Sequence, residues 1–195
     1  MKGLVPRVAR DVAWQRLARG GAWRRLWNRL TRSASDAEPP SRDRKLPLLE
    51  TVWLPTYRVS FTAEHAARTL NFDALVNAHS GHVVLGELSH AQWCEVDDFP
   101  AQADIAPERA GELARGAVVK NLLTRRGWGR HPQIVATQSP EMIGYPAWAY
   151  YFATRTGMLD AKLLDAMTGS MGGPQFKTSL LATLSARQTN RQTDA

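Results

Sequence analysis

Apolar and polar positions alternate most clearly at two places in the chain. Tyr57, Val59 and Phe61 alternate with Arg58 and Ser60, and Trp148, Tyr150 and Phe152 follow in the same register. A period of two predicts strands. Return strands are expected over Leu70–Ala78 and Met158–Ala166, the second after a turn at Arg155-Thr156-Gly157. Asn77…Ser80-Gly81 and Asp165…Thr168-Gly169 then read as turns. There Asn or Asp bonds its own downstream backbone, and Gly takes a positive φ. A helical period replaces the alternation elsewhere. Residues 107–126 open with Pro107 and Glu108 and stop at Arg125-Arg126-Gly127, with Ala110, Leu113, Ala114, Ala117 and Val118 on one side. Gly173-Pro174 introduces a second helix, with Phe176, Leu180 and Leu184 spaced by four. Residues 8–32 read as an amphipathic helix. Trp23, Leu26, Trp27 and Leu30 share a face that Leu17 and Val12 extend, and arginines fill the rest. Gly20-Gly21 is its weak point, because each Gly costs about 1 kcal/mol against Ala, so two short helices with a hinge fit equally. Residues 33–46 are polar, Pro-containing and aperiodic, and read as a linker.

The two alternating stretches belong to an internal repeat. Glu50-Thr-Val-Trp-Leu-Pro55-Thr-Tyr57-Arg-Val-Ser-Phe61 answers Glu141-Met-Ile-Gly-Tyr-Pro146-Ala-Trp148-Ala-Tyr-Tyr-Phe152. Glu, Pro, an aromatic and Phe match at one offset. Ala74–Gly81 then answers Lys162–Gly169 at an offset shorter by three. That length difference falls in the intervening turn, where it is tolerated. Recurrence of Glu50 with Glu141, and of Pro55 with Pro146, assigns them to the fold rather than to a site. The expected architecture is α+β: two pseudo-repeated hairpin–helix units joined into one antiparallel sheet with helices on one face. The expected segments are a basic helical leader (1–32), the linker (33–46), a first β-β-α unit (47–130), a second (131–186) and a frayed tail (187–195).

The stretch Tyr151-Phe152…Gly157…Leu163-Leu164-Asp165-Ala166-Met167-Thr168-Gly169 resembles the core of PepSY domains. Those have an extended strand, a Gly-containing turn, and a return strand ending in Asp-Ala-x-Thr-Gly. Asn77-Ala78-His79-Ser80-Gly81 is similar in the first copy. The resemblance spans about 25 residues per copy. It implies a non-catalytic binding or inhibitory module, often associated with peptidases or membrane proteins, and it carries no catalytic residue across.

Charge changes the picture of the N-terminal segment. The chain of 195 residues has net charge +7, and residues 1–32 contribute +8 of it, nine Lys and Arg against Asp11. The remainder stands at −1, so any long-range attraction to anionic surfaces lies in the first 32 residues. The 44% hydrophobic and 22% charged composition suits a folded chain. A single Cys94 excludes an internal disulfide framework, and no apolar run reaches the roughly 20 residues of a membrane-spanning helix. A cytoplasmic location, peripheral at a membrane, is the expectation.

Candidate chemistry is sparse. His79, His82, His90 and Cys94 are zinc-ligand types within 16 residues, at a spacing that matches no zinc pattern. Cys94 has only His90 nearby as a base. Glu95 with Asp97-Asp98 reads as a surface acidic cluster. Thr168–Gly173 is Gly-rich before a helix but lacks the phosphate-loop Lys. The leader carries the best binding candidates: Arg16, Arg19, Trp23, Arg24, Arg25, Trp27 and Arg29. Arginines around a Trp/Leu stripe suit an anionic membrane surface, a protein partner, or nucleic-acid phosphates. The stripe also suits packing on the protein's own sheet. The expected function is non-enzymatic, with no cofactor: an accessory or adaptor protein that binds a macromolecular partner. A small metal protein or enzyme using the His79–Cys94 region, and a nucleic-acid-associated protein acting through the leader, are the alternatives.

Overall fold

A computed structural model describes residues 1–18, 47–65, 68–96, 99, 102–124, 133–154 and 156–193. The described elements are β1 (Lys2–Leu4), α1 (Arg10–Ala18), β2 (Leu48–His65), β3 (Arg68–Asn77), β4 (Val83–Gly86) and β5 (Trp93–Glu95). α2 (Pro107–Thr124), β6 (Gln133–Ala136), β7 (Glu141–Ala153), β8 (Leu159–Asp165) and α3 (Pro174–Thr193) follow. The fold is α+β, built on a mixed sheet. Its order is β4-β3-β2-β7-β1-β5, with β6 also on β2 and β8 also on β7. Two compact units share the chain: residues 1–5, 53–146 and 174–195 form one, and residues 6–52 and 147–173 form the other.

In the first unit, β2 and β3 pair antiparallel from Thr56↔Asn77 to His65↔Arg68. β4 then adds to β3. Alternation sends Tyr57, Val59, Phe61 and Ala63 to one face, opposite Val76, Ala74 and Phe72. α2 lies on that face through Ala110, Ala114, Val118 and Leu122, all fully buried. Their spacing of four makes a single stripe, and the two alanines at its start let the helix approach closely. α3 is tied to the same unit through Ser179, whose hydroxyl donates to Asn77 Oδ1 at 2.8 Å. β1 enters this sheet parallel to β7 at Gly3↔Gly144. The two glycines sit side by side because the Trp53 indole lies across both. A Cβ on Gly144 would stand 2.8 Å from Trp53 Cδ1, and one on Gly3 2.6 Å from Val96 Cγ2.

The second unit contains the hairpin β7–β8, paired from Ala147↔Asp165 to Ala153↔Leu159. One face carries Trp148, Tyr150 and Phe152 with their partners Leu164, Lys162 and Asp160. α1 covers the base of this face with Ala13 and Leu17, packed among Leu49, Trp148, Tyr150, Leu164 and Ala166.

The two hairpins end in turns with one hydrogen-bond pattern. The amides of His79 and Ser80 donate to Asn77 Oδ1, and those of Met167 and Thr168 donate to Asp165 Oδ1. The amides of Gly81 and Gly169 close on the carbonyls of residues 77 and 165, and the amides of 77 and 165 close on the carbonyls of 82 and 170. Gly81 and Gly169 have φ of 68° and 74°, where a Cβ is strained. The alanine inside each turn accepts two further amides. Ala78 O takes those of Asp104 and Ile105, just before α2, and Ala166 O takes those of Arg7 and Val8, just before α1.

This geometry corrects several expectations. The helix on the second hairpin is α1, which precedes it in sequence, and not α3, which follows it and belongs to the first unit. The expected boundary at 130/131 therefore does not separate the compact units, since β6 and the first half of β7 also lie in the first. The start of the expected leader is built into the fold: α1 buries Ala13 and Leu17, while Val12 points outward. The Ala166 carbonyl fixes the helix start, and this sets the buried face at Ala13 and Leu17. The rest of that helix (19–32) and the linker (33–46) lie outside the described residues. The 187–195 tail is helical as far as Thr193. β1, β4, β5 and β6 are too short for a periodic signal.

Leu17→Ala should lower the unfolding free energy by about 2–5 kcal/mol, as expected for a fully buried Leu. Gly144→Ala should cost about 1–3 kcal/mol, because Trp53 cannot move away without leaving its slot. Urea denaturation of the full chain measures both.

Candidate binding face

The surface in the second unit that combines open apolar side chains with cations is the α1-side face of β7–β8. Residues directly opposite in an antiparallel pair share a face. Beyond Phe152↔Asp160 the loop closes with the Thr154 amide on Met158 O at 2.8 Å. Met158 therefore continues the line of Asp160 and Lys162.

Aromatic rings run along this face. Trp14 of α1 meets Tyr150 edge-on with centroids 5.5 Å apart, and Tyr150 stacks on Phe152 at 5.9 Å. Both geometries suit the ring quadrupoles. Lys162 Nζ stands 5.2 Å over the Phe152 ring and donates to Leu17 O at 3.2 Å. One cation thus caps the ring and meets the carbonyl end of α1, where positive charge is favoured. Exposure rises outward: Tyr150 and Trp148 are buried, Phe152 is half-buried, Trp14 is 40% exposed and Met158 is 70% exposed. Arg7 and Arg10 are exposed at the start of α1, Arg10 reaching Leu49 O at 3.3 Å. Trp148 Nε1 donates to Val8 O at 2.8 Å, which locks the entry to the helix.

Of the residues the sequence singles out for binding, Arg16 is described. Its guanidinium donates to Gly169 O at 2.7 Å, so this arginine joins α1 to the Asp165–Gly169 turn. Arg19, Trp23, Arg24, Arg25, Trp27 and Arg29 lie outside the described residues. Glu50 serves the fold by accepting from the Tyr151 hydroxyl at 2.8 Å. Trp14, Phe152, Met158 and Lys162 were not singled out. Their signal was the cross-strand register, which places 158 and 162 beside 152 and 150.

The other candidates do not assemble. His79 Nδ1 pairs with Asp104 Oδ2 at 3.0 Å, its side chain is 3% exposed, and its Nε2 is buried without a partner. Cys94 lies in β5 opposite Gly3, with Sγ 3.5 Å from Gly3 O. Among the described residues, no three His, Cys, Asp or Glu side chains are grouped to hold a metal ion. Glu95 pairs with Lys2 across the β5–β1 register, and Asp97 and Asp98 lie outside the described residues. The Gly-rich segment after Thr168 forms the turn, its Ser170 amide meeting Thr168 Oγ1 at 3.2 Å. A groove of about 530 Å³ lies between α2 and residues 137–140. Its floor, Val59 and Phe61, is packed core.

Asp73 is a charged node between β2 and β3. It accepts from Arg58 Nε at 2.9 Å, Ser60 Oγ at 2.8 Å and the Leu88 amide at 2.9 Å. Burial alone pushes its carboxyl up. The Leu88 amide, Ser60, and the bond and charge of Arg58 outweigh that, and hold it below the ordinary 3.8. A depressed folded pKa gives stability that is present above the unfolded value near 4 and lost as pH falls through the folded value. Asp73→Asn should flatten the fall in urea midpoint below about pH 4, and Asp73→Ala should cost about 1–3 kcal/mol at neutral pH by orphaning the Leu88 amide. Compared with protein-family models, curated proteins and solved structures, the chain matches none.

Proposed function

We propose that the protein is a non-catalytic accessory module that attaches to an anionic membrane surface through its N-terminal basic region and holds its sheet ready for a protein partner. The observation that carries this reading is the seating of α1. The helix that opens the +8 segment is fixed on the second hairpin through Ala13, Leu17 and the Ala166 carbonyl. It leaves Val12 37% and Trp14 40% exposed, Trp14 with its ring edge against Tyr150, while Arg10 is exposed at the helix start. A basic segment joined in this way couples a surface contact to a folded body. Apolar and aromatic residues among arginines suit the interfacial layer, where side chains enter the acyl boundary and cations meet head groups. Among the described residues no helix is long and apolar enough to cross a membrane.

The architecture underneath is two copies of one hairpin–helix unit, β2–β3 with α2 and β7–β8 with α1, the second with its helix placed first in sequence. The matching turns and doubly accepting alanine carbonyls support this duplication. They favour a framework role for the shared residues.

Sedimentation of the full chain with phosphatidylcholine vesicles, with and without phosphatidylserine, tests the reading. Binding should require phosphatidylserine, and Arg24→Gln, Arg25→Gln and Arg29→Gln together should weaken it about 100-fold, at roughly 1 kcal/mol per charge near the surface. Equal indifference to both vesicle types sinks the membrane reading. Tight, steeply salt-dependent binding to duplex DNA in its place would assign the arginines to phosphates.

A further inference from the structure

The described sheet has its edges at β4, β5, β6 and β8. Three of these carry a feature that keeps a further strand away. On β8, the Leu163 carbonyl and the Asp165 amide are taken by the Gly172 amide and the Ser170 carbonyl, at 2.8 and 2.9 Å, and the Ala161 amide donates to the Asp160 carboxylate at 2.8 Å. β5 is three residues long and holds Glu95. β6 follows directly on Pro132, which has no amide to offer. β4 reads Val-Val-Leu-Gly, without charge or proline. Its place in the second unit is held by residues 170–172, which meet β8 in the bridge Leu164↔Met171 and stop at Gly173-Pro174.

The Asn77 amide donates to His82 O at 2.9 Å, and bonded and unbonded pairs alternate along an antiparallel ladder. Val84 and Gly86 therefore bond to Leu75 and Asp73, and the amides and carbonyls of Val83 and Leu85 point away from β3. Among the described residues nothing pairs with them. The Val83 and Leu85 side chains pack with α2, so Val84, opposite Leu75 and 39% exposed, lies on the other face.

We infer that β4 is an interface between two copies of this chain, paired antiparallel about a two-fold axis through Val84. Val83 of each copy then exchanges both backbone bonds with Leu85 of the other. The two Val84 side chains meet in the unbonded pair, with Cα atoms about 4.5 Å apart. A strand without charge offers nothing to select a foreign partner, while this register sets apolar against apolar and no like charges opposite. It also closes the assembly, because each edge covers the other. The pairing forms in solution and is independent of the membrane reading.

The test is the mass of the full chain in solution, by sedimentation equilibrium over a wide range of concentration. Wild type should approach the mass of two chains. Val84→Lys and Val84→Glu should each weaken self-association about tenfold or more, since like charges then stand directly opposite. An equimolar mixture of the two should restore the dimer. Val135→Lys, on β6 and 62% exposed, should associate like wild type. A wild type that keeps the mass of one chain at the highest concentration overturns the inference. So does a Val84→Lys variant that pairs like wild type, or a mixture that pairs no better than its parts. Should Val84→Lys fail to fold, wild-type amide exchange decides. The Val83 and Leu85 amides should slow as concentration rises, and exchange independent of concentration at both overturns the inference.

Discussion

One carbonyl organises each half of this molecule. In the turn that ends each hairpin, an alanine carbonyl accepts the two amides that lead into a helix, Ala78 for α2 and Ala166 for α1. Ala78 and Ala166 are fully buried, and a buried carbonyl must be paired, so these contacts fix where each helix begins and which of its faces meets the sheet. The Asx bonds of Asn77 and Asp165 hold the turns in shape, and the positive φ of Gly81 and Gly169 makes the turns tight enough to present the carbonyl. Losing Asp165 or Gly169 would therefore release α1 as well as the turn.

Much of this was legible. Alternation at Tyr57–Phe61 and Trp148–Phe152 marked the strands, the turn residues marked both reversals, and Pro107 marked the start of α2. The partner of the second hairpin was not legible from the order of elements. The segment after it does form a helix, so following the chain pointed to α3. Which helix lies on which face is decided by long-range contacts, such as Val8 O with Trp148 Nε1, that leave no local signal. Leu17 was legible on the apolar stripe of the N-terminal segment, whereas Ala13 was not, because a lone alanine among arginines carries little periodic signal.

The same contrast explains the candidate site. Asp73 and His79 are held by the framework: Asp73 ties β2, β3 and Leu88 together, and His79 pairs with Asp104. What stays open near the second hairpin is an aromatic line ending in Met158, with Lys162 bridging it to α1. Cross-strand register sets Lys162 opposite Tyr150, and the seating of α1 brings Trp14 to the same Tyr150, 136 positions away in sequence.

The central claim is that the protein meets an anionic surface through its basic N-terminal region. Amide hydrogen exchange of the full chain, with and without phosphatidylserine-containing vesicles, addresses it residue by residue. The account predicts that vesicles slow exchange in residues 10–32 and leave residues 83–86 of β4 unchanged. Unchanged exchange across 10–32, in the presence of bound vesicles, would contradict it.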